Sequence, residues 1–175
     1  VCSSDLKQTK CPILLSHSEH VRADLSEKDV LTSILSSSVW DLVVDVSSLP
    51  MSSQGVHGRN ENEVKRSILL LVQSMVAMNP NIRPKQLVIV SSGAEPVEMV
   101  ENDQSNSFYW LPGFVRAVHA ERPDMNLSLL DVVGEEKDIL QSLCIGKLQI
   151  PFDEFELAVR SSGTIYVPRL EESQV

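Results

Sequence analysis

No apolar run in this chain approaches the roughly 20 residues needed to cross a bilayer. No basic segment leads into an apolar core with small residues behind it, so we expect neither a transmembrane helix nor a secretory leader. Cysteine is scarce: Cys2, Cys11 and Cys144 are odd in number, scattered and without a CxxC spacing, so they outline no disulfide framework. We expect them reduced and the protein cytoplasmic. Basic residues are outnumbered 15 to 24, for a net charge of -9. That sign repels phosphate backbones and anionic lipid, which argues against nucleic acid and membrane as partners. Its ordinary role is solubility. Glycine is also sparse, at 7 residues, and none of them form a GxGxxG turn. Gly55-Val56-His57-Gly58 comes nearest, without a third glycine and without a strand directly before it. A dinucleotide needs such a turn so that its pyrophosphate can reach the backbone at a helix N-terminus. Nucleotide binding by this chain alone is therefore not expected.

What is present suits one ordinary globular domain. The 175 residues are 42% apolar and 22% charged. The first residue is Val1, not Met, and we expect a piece of a longer chain. Short apolar strands alternate with amphipathic helices. Pro12 to Leu15 reads as a short strand. Ser26 reads as a helix N-cap with Asp29 as its capping-box partner, ahead of Val30, Leu31, Ile34 and Leu35. Trp40 to Val46 reads as a strand buried on both faces. Leu49 to Asn60 is a loop. Glu61 to Met78 is the clearest helix, with Val64, Ile68, Leu71, Val72 and Met75 on one face and Asn79-Pro80 ending it. Leu87 to Val90 is a buried strand closed by Ser91-Ser92-Gly93. Glu95 to Asn106 is a polar loop. Phe108, Leu111, Val115 and Val118 line a helix ending before Pro123, and Leu127 to Val132 is a strand. Ile139, Leu140 and Leu143 mark a short helix with Gly146 as its cap. Along Glu154 to Arg160, Phe155, Leu157 and Val159 alternate with Glu154, Glu156 and Arg160, which predicts a strand with one wet face. Thr164 to Pro168 returns as a hairpin. The fold expected over residues 1–175 is α/β: a truncated Rossmann-like, mostly parallel sheet flanked by helices, with a C-terminal antiparallel β-hairpin.

Ligands of an open parallel sheet bind beyond the carboxyl ends of its strands. The residues there are Asp45, Ser47, Ser48, Ser91, Ser92, Gly93 and Asp131. A short-chain-type reductase needs a tyrosine and a lysine four residues apart on a helix, yet Tyr109 is followed at that spacing by Gly113 and Tyr166 by Leu170. Asp45 and Ser91 suggest a phospho-accepting receiver. No lysine follows Asp131 before Lys137, and the first strand offers only Ser16-His17, so helix capping explains these residues better. Cys11, His17, Glu19 and His20 lack a usual zinc spacing and read as a solvated loop. His119 suits charge placement near a helix C-terminus. Trp40, Phe108 and Trp110 suit packing better than ligand stacking. Ser91-Ser92-Gly93 fails the GxSxG pattern.

Three stretches together resemble the structural subdomain of ketoreductase regions in polyketide synthases and related fatty acid synthases. They are WDLVVDVSSL from Trp40, KQLVIVSSG from Lys85, and the pair LPGFVRAVHAERPDMNLSLLDV from Leu111 and FELAVRSSGTIYVPRL from Phe155. The closing hairpin, with Ala158, Arg160, Gly163, Tyr166, Val167, Pro168, Arg169 and Leu170, is the most specific part, and is most similar to that of fungal highly reducing synthases. The Leu111-Pro112-Gly113 helix start and the long polar loop before it depart from the family pattern. The resemblance implies a truncated Rossmann fold that lost its cofactor turn and braces a catalytic ketoreductase half, or a neighbouring enoyl reductase, of the same chain. Catalytic, cofactor-binding and metal residues are then expected to be none here. NADPH and carrier-protein phosphopantetheine belong to the parent enzyme, expected to be a homodimer. Such a subdomain needs a surface for its neighbour, for which Phe155, Tyr166 and Val167 are the candidates. The rival reading is a free-standing receiver-like or small-ligand-binding α/β module.

Overall fold

The computed structural model describes residues 27–49, 60–95, 97, 108–133, 154–160 and 164–169. The strand expected at 12–15, the helix expected around 139–143 with its glycine cap, the glycine pair at 55–58 and the Cys/His group at 11–20 lie outside the described residues.

Helix α1 (Lys28–Ser36) buries Leu31 and Leu35, one turn apart. Its N-cap is Glu27, which makes no side-chain capping bond, and Ser26 of the expected capping box lies outside the described residues. The Glu27 carbonyl instead accepts the N–H of Leu31 at 3.1 Å. Asp29 falls in the first turn, where it still faces the positive end of the helix dipole. At the other end the half-buried Trp40 donates its indole N–H to the Ile34 carbonyl at 3.3 Å. Helix α2 (Glu61–Ala77) is capped by Asn60, whose side chain accepts the N–H of Asn62, and it buries Val64, Ile68, Leu71, Val72 and Met75. These are the residues that the helical spacing selects. Helix α3 (Trp110–Glu121) admits Pro112 because it stands in the first turn, where an N–H has no helical acceptor.

The strands are β1 (Val43–Asp45), β2 (Leu87–Ser91), β3 (Leu127–Val132), β4 (Glu156–Val159) and β5 (Ile165–Tyr166). They lie side by side in chain order, the first four parallel and β5 antiparallel to β4. The truncated Rossmann-like sheet with a terminal hairpin is therefore the observed fold. β1 is shorter than expected and is not buried on both faces: Val44 is 40% and Val46 45% exposed. It stands at the edge of the described sheet, with a hydrogen-bonded neighbour on one side only.

The pleat sorts side chains onto two faces. Leu87 and Ile89 of β2 and Leu127 and Leu129 of β3 join the buried residues of all three helices in one core. Val88, Val90, Leu130, Val132, Leu157 and Val159 form a second core on the opposite face, with Leu42, Leu49 and Val167 packed against it. Ser91, Asp131, Glu156 and Arg160 keep the parity of the first face. The alternation read along β4 therefore holds, but its polar side is not wet: Glu156 is 2% and Arg160 5% exposed.

Leu129 has no exposed surface, so Leu129→Ala is expected to lower the unfolding free energy by about 2–5 kcal/mol. Leu69, 45% exposed on the outer side of α2, is expected to tolerate alanine within about 0.5 kcal/mol. Urea midpoints at unchanged m-value measure both.

Candidate functional site

The polar residues at the carboxyl ends of the strands turn on one another. Asp45 accepts from the backbone N–H of Ser47 at 3.0 Å and from its hydroxyl at 2.6 Å, a local Asx turn. The buried Ser48 hydroxyl donates to the Val90 carbonyl and ties the end of β1 to β2. Asp45 is thus spent on its own turn, and Ser91 points elsewhere.

Asp131 is the hub. It is completely buried, and four donors converge on its carboxylate. The Ser91 hydroxyl and the Ala94 N–H reach Oδ1, each at 2.7 Å, while the Glu95 N–H and Arg160 Nη1 reach Oδ2, each at 3.2 Å. Gly93, with φ of 73°, makes the turn that swings the two amides inward, a backbone conformation that side-chain-bearing residues rarely adopt. Arg160 also donates through Nη2 to the Glu95 carbonyl, so one guanidinium holds both the carboxylate and the turn. In a sheet that binds a phosphate, amides placed like these face the ligand. Here an internal anion has taken them. With no glycine-rich turn among the described residues, the groups present do not fit a dinucleotide.

A second layer comes from α3. Arg116 donates to Glu156 Oε2 through Nε at 3.0 Å and Nη2 at 2.6 Å, and the same Nη2 lies 3.5 Å from Glu95 Oε1. The remaining oxygen of Glu156, Oε1, is buried with no donor among the described residues. Burial pushes the Glu95 carboxyl up from its ordinary value, and repulsion from Glu156 and Asp131 adds to this while Arg116 opposes it. At the opposite end of the sheet, Asp124 is held well below the usual carboxylate range by hydrogen bonds from Arg122 and Arg83.

Other candidates have packing roles. Phe108 and Trp110 lie against the first core, and Trp110 meets Phe114 edge-on at 5.8 Å. His119 stacks on Phe155, ring centres 4.1 Å apart and planes 15° from parallel. The three proposed interface residues are not one patch. Phe155 packs with the first core, Val167 with the second, and the half-buried Tyr166 sits in β5 opposite Ala158. Beside Tyr166, Ile165 is 48% exposed. Arg169 pairs with Glu154 and closes the hairpin. Sequence reasoning missed Arg116 and Glu156 as partners. The only available signal was an arginine next to the apolar stripe of α3 and a glutamate on the polar side of an alternating strand.

Residues 6–170 match the family model described as the Rossmann fold domain of the polyketide synthase extender module SpnB. The chain belongs to that family. Among solved structures, the first ketoreductase of the tylosin PKS shares the fold of this polyketide synthase domain, with a TM-score of 0.58 and 21% identity over 83% of this chain. The chain spans 29% of that protein. No curated protein matches it in sequence.

Breaking the hub from either side leaves a buried charge. Asp131→Asn and Arg160→Met are each expected to cost about 3–5 kcal/mol. Their combination should cost less than the sum, because neither charge is then stranded. Denaturant melts of the four proteins close the cycle, and additive losses would show that the two groups do not act as a pair.

Proposed function

We infer that this domain does not itself reduce a carbonyl, a reaction that needs a hydride donor held beside the carbon and an acid to protonate the oxygen. Among the described residues neither tyrosine supplies the acid in the helical setting a short-chain reductase uses. Tyr109 is half-exposed at the start of α3, and Tyr166 lies on a strand.

We propose that this domain is the non-catalytic structural subdomain that braces the NADPH-dependent ketoreductase, or a neighbouring reductase, of a multifunctional polyketide or fatty acid synthase. The observation carrying this reading is the Asp131–Arg160 network, which turns the amides at the carboxyl end of the sheet inward. NADPH then belongs to a catalytic half in the same parent chain, and the acyl group rides on carrier-protein phosphopantetheine. That the tylosin ketoreductase is more than three times as long as the matched region supports a second, catalytic portion. The parent works in the cytoplasm as a homodimer. The hairpin is the docking edge, with Tyr166 and Val167 in contact with the catalytic half and Phe155 supporting the start of β4.

Two measurements test this. The 175-residue chain alone should leave NADPH fluorescence unchanged, and co-expressed with the adjoining reductase of its synthase it should co-purify one to one. Tyr166→Ala should weaken that association by about 1–2 kcal/mol, roughly five- to thirty-fold, without shifting the chain's own melting. NADPH binding by the chain alone, or a reductase equally soluble and active without it, would overturn the reading.

A further inference from the structure

Among the described residues, the groups around the turn at 91–95 carry one more carboxyl than cation. Arg116 from α3 and Arg160 behind β4 are the cations; Asp131 from β3, Glu156 from β4 and Glu95 from the turn itself are the carboxyls. Ser91, Ser92, Gly93 and Ala94 add no charge. Two positive charges thus face three carboxyls in a region where Asp131, Glu156 and Arg160 are all at least nine-tenths buried. An excess anion there is costly where burial limits its solvation, although the Arg116 side chain reaches solvent.

Hydrogen-bond geometry selects the group that is neutral. Asp131 has four donors on its carboxyl group. Glu156 takes two short donations from Arg116 on Oε2, which suits a charged acceptor. Glu95 has the weakest claim on a cation, 3.5 Å from Arg116, and its side chain is only 16% exposed. The same Arg116 nitrogen touches both glutamates, so the two carboxyls are neighbours. Glu156 Oε1, meanwhile, is buried and has no donor among the described residues. A proton on Glu95 meets both needs at once: it removes the excess charge and supplies that donor.

We propose that Glu95 holds its proton to higher pH in the folded chain than an ordinary glutamate does and, while protonated, donates to Glu156, clasping the turn after β2 to β4. Loss of the proton leaves two carboxylates against one guanidinium and loosens the turn. The upward push that burial and Glu156 exert on the Glu95 carboxyl agrees in direction. An acid whose folded value lies above its unfolded one stabilises the fold most fully below the unfolded value, near 4.5, and this contribution is lost as pH rises through the folded value.

Carbon-13 NMR of the side-chain carboxyls in the intact 175-residue chain reads the proton directly, with Glu95 assigned from the signal missing in Glu95→Gln. The expected midpoint for Glu95 lies above 4.5, and the amides of Ala94 and Glu95 should exchange faster once it is passed. Glu95→Gln keeps an N–H donor for Glu156 but cannot titrate, so its stability should gain on wild type as pH rises from 4.5. Glu95→Ala lacks the donor and should be less stable than Glu95→Gln at every pH. A Glu95 midpoint at or below the ordinary value, or a gap between wild type and Glu95→Gln that does not move with pH, would overturn the proposal. The titration is read on the wild-type chain and does not depend on the alanine variant folding.

Discussion

The buried bridge between Asp131 and Arg160 is the constraint on which this end of the molecule depends. A carboxylate and a guanidinium removed from water carry a large desolvation cost, offset only when geometry is good and other donors complete the shell. Ser91, Ala94 and Glu95 complete it. The bridge therefore joins the end of β2, the end of β3 and the hairpin that follows β4, elements drawn from distant parts of the sequence. It sets where the turn after β2 lies, and with it the approach of Glu95 to Arg116 and Glu156.

The same bridge satisfies amides at the edge where a Rossmann-type sheet usually binds its ligand. Amides at a strand end are a fixed positive surface that some anion must satisfy. In cofactor-binding members of such folds a phosphate can serve. Here a side chain of the next strand does, and an arginine from the hairpin neutralises it. The closing hairpin, the most family-specific stretch of sequence, is thus anchored through Arg160 to the generic middle of the fold.

Much of the architecture was legible beforehand because burial obeys simple periods. The spacing of Val64, Ile68, Leu71 and Met75 fits only a helix with one inward face, and α2 follows it closely. The apolar runs at Leu87 and Leu127 became strands buried on both faces because each has neighbours on both sides. The similar run before Asp45 did not, because it sits at an edge, and edge position is a property of the assembled sheet. Along β4 the alternation was correct, yet solvent was assigned to the wrong place: Glu156 and Arg160 face inward because Arg116 and Asp131 await them there.

The sequence by itself determined the alternation of strands and helices, the apolar face of α2, the buried runs of β2 and β3, and the family to which the chain belongs, since these rest on local periodicity and contiguous motifs. Tertiary structure alone decided the pairings Asp131–Arg160 and Arg116–Glu156, separated by 29 and 40 residues. Charged residues carry no period that names their partners. Only parallel register, which sets Ser91 opposite Asp131 and Leu129 opposite Glu156, brings these groups to one place and makes a would-be binding edge into part of the core.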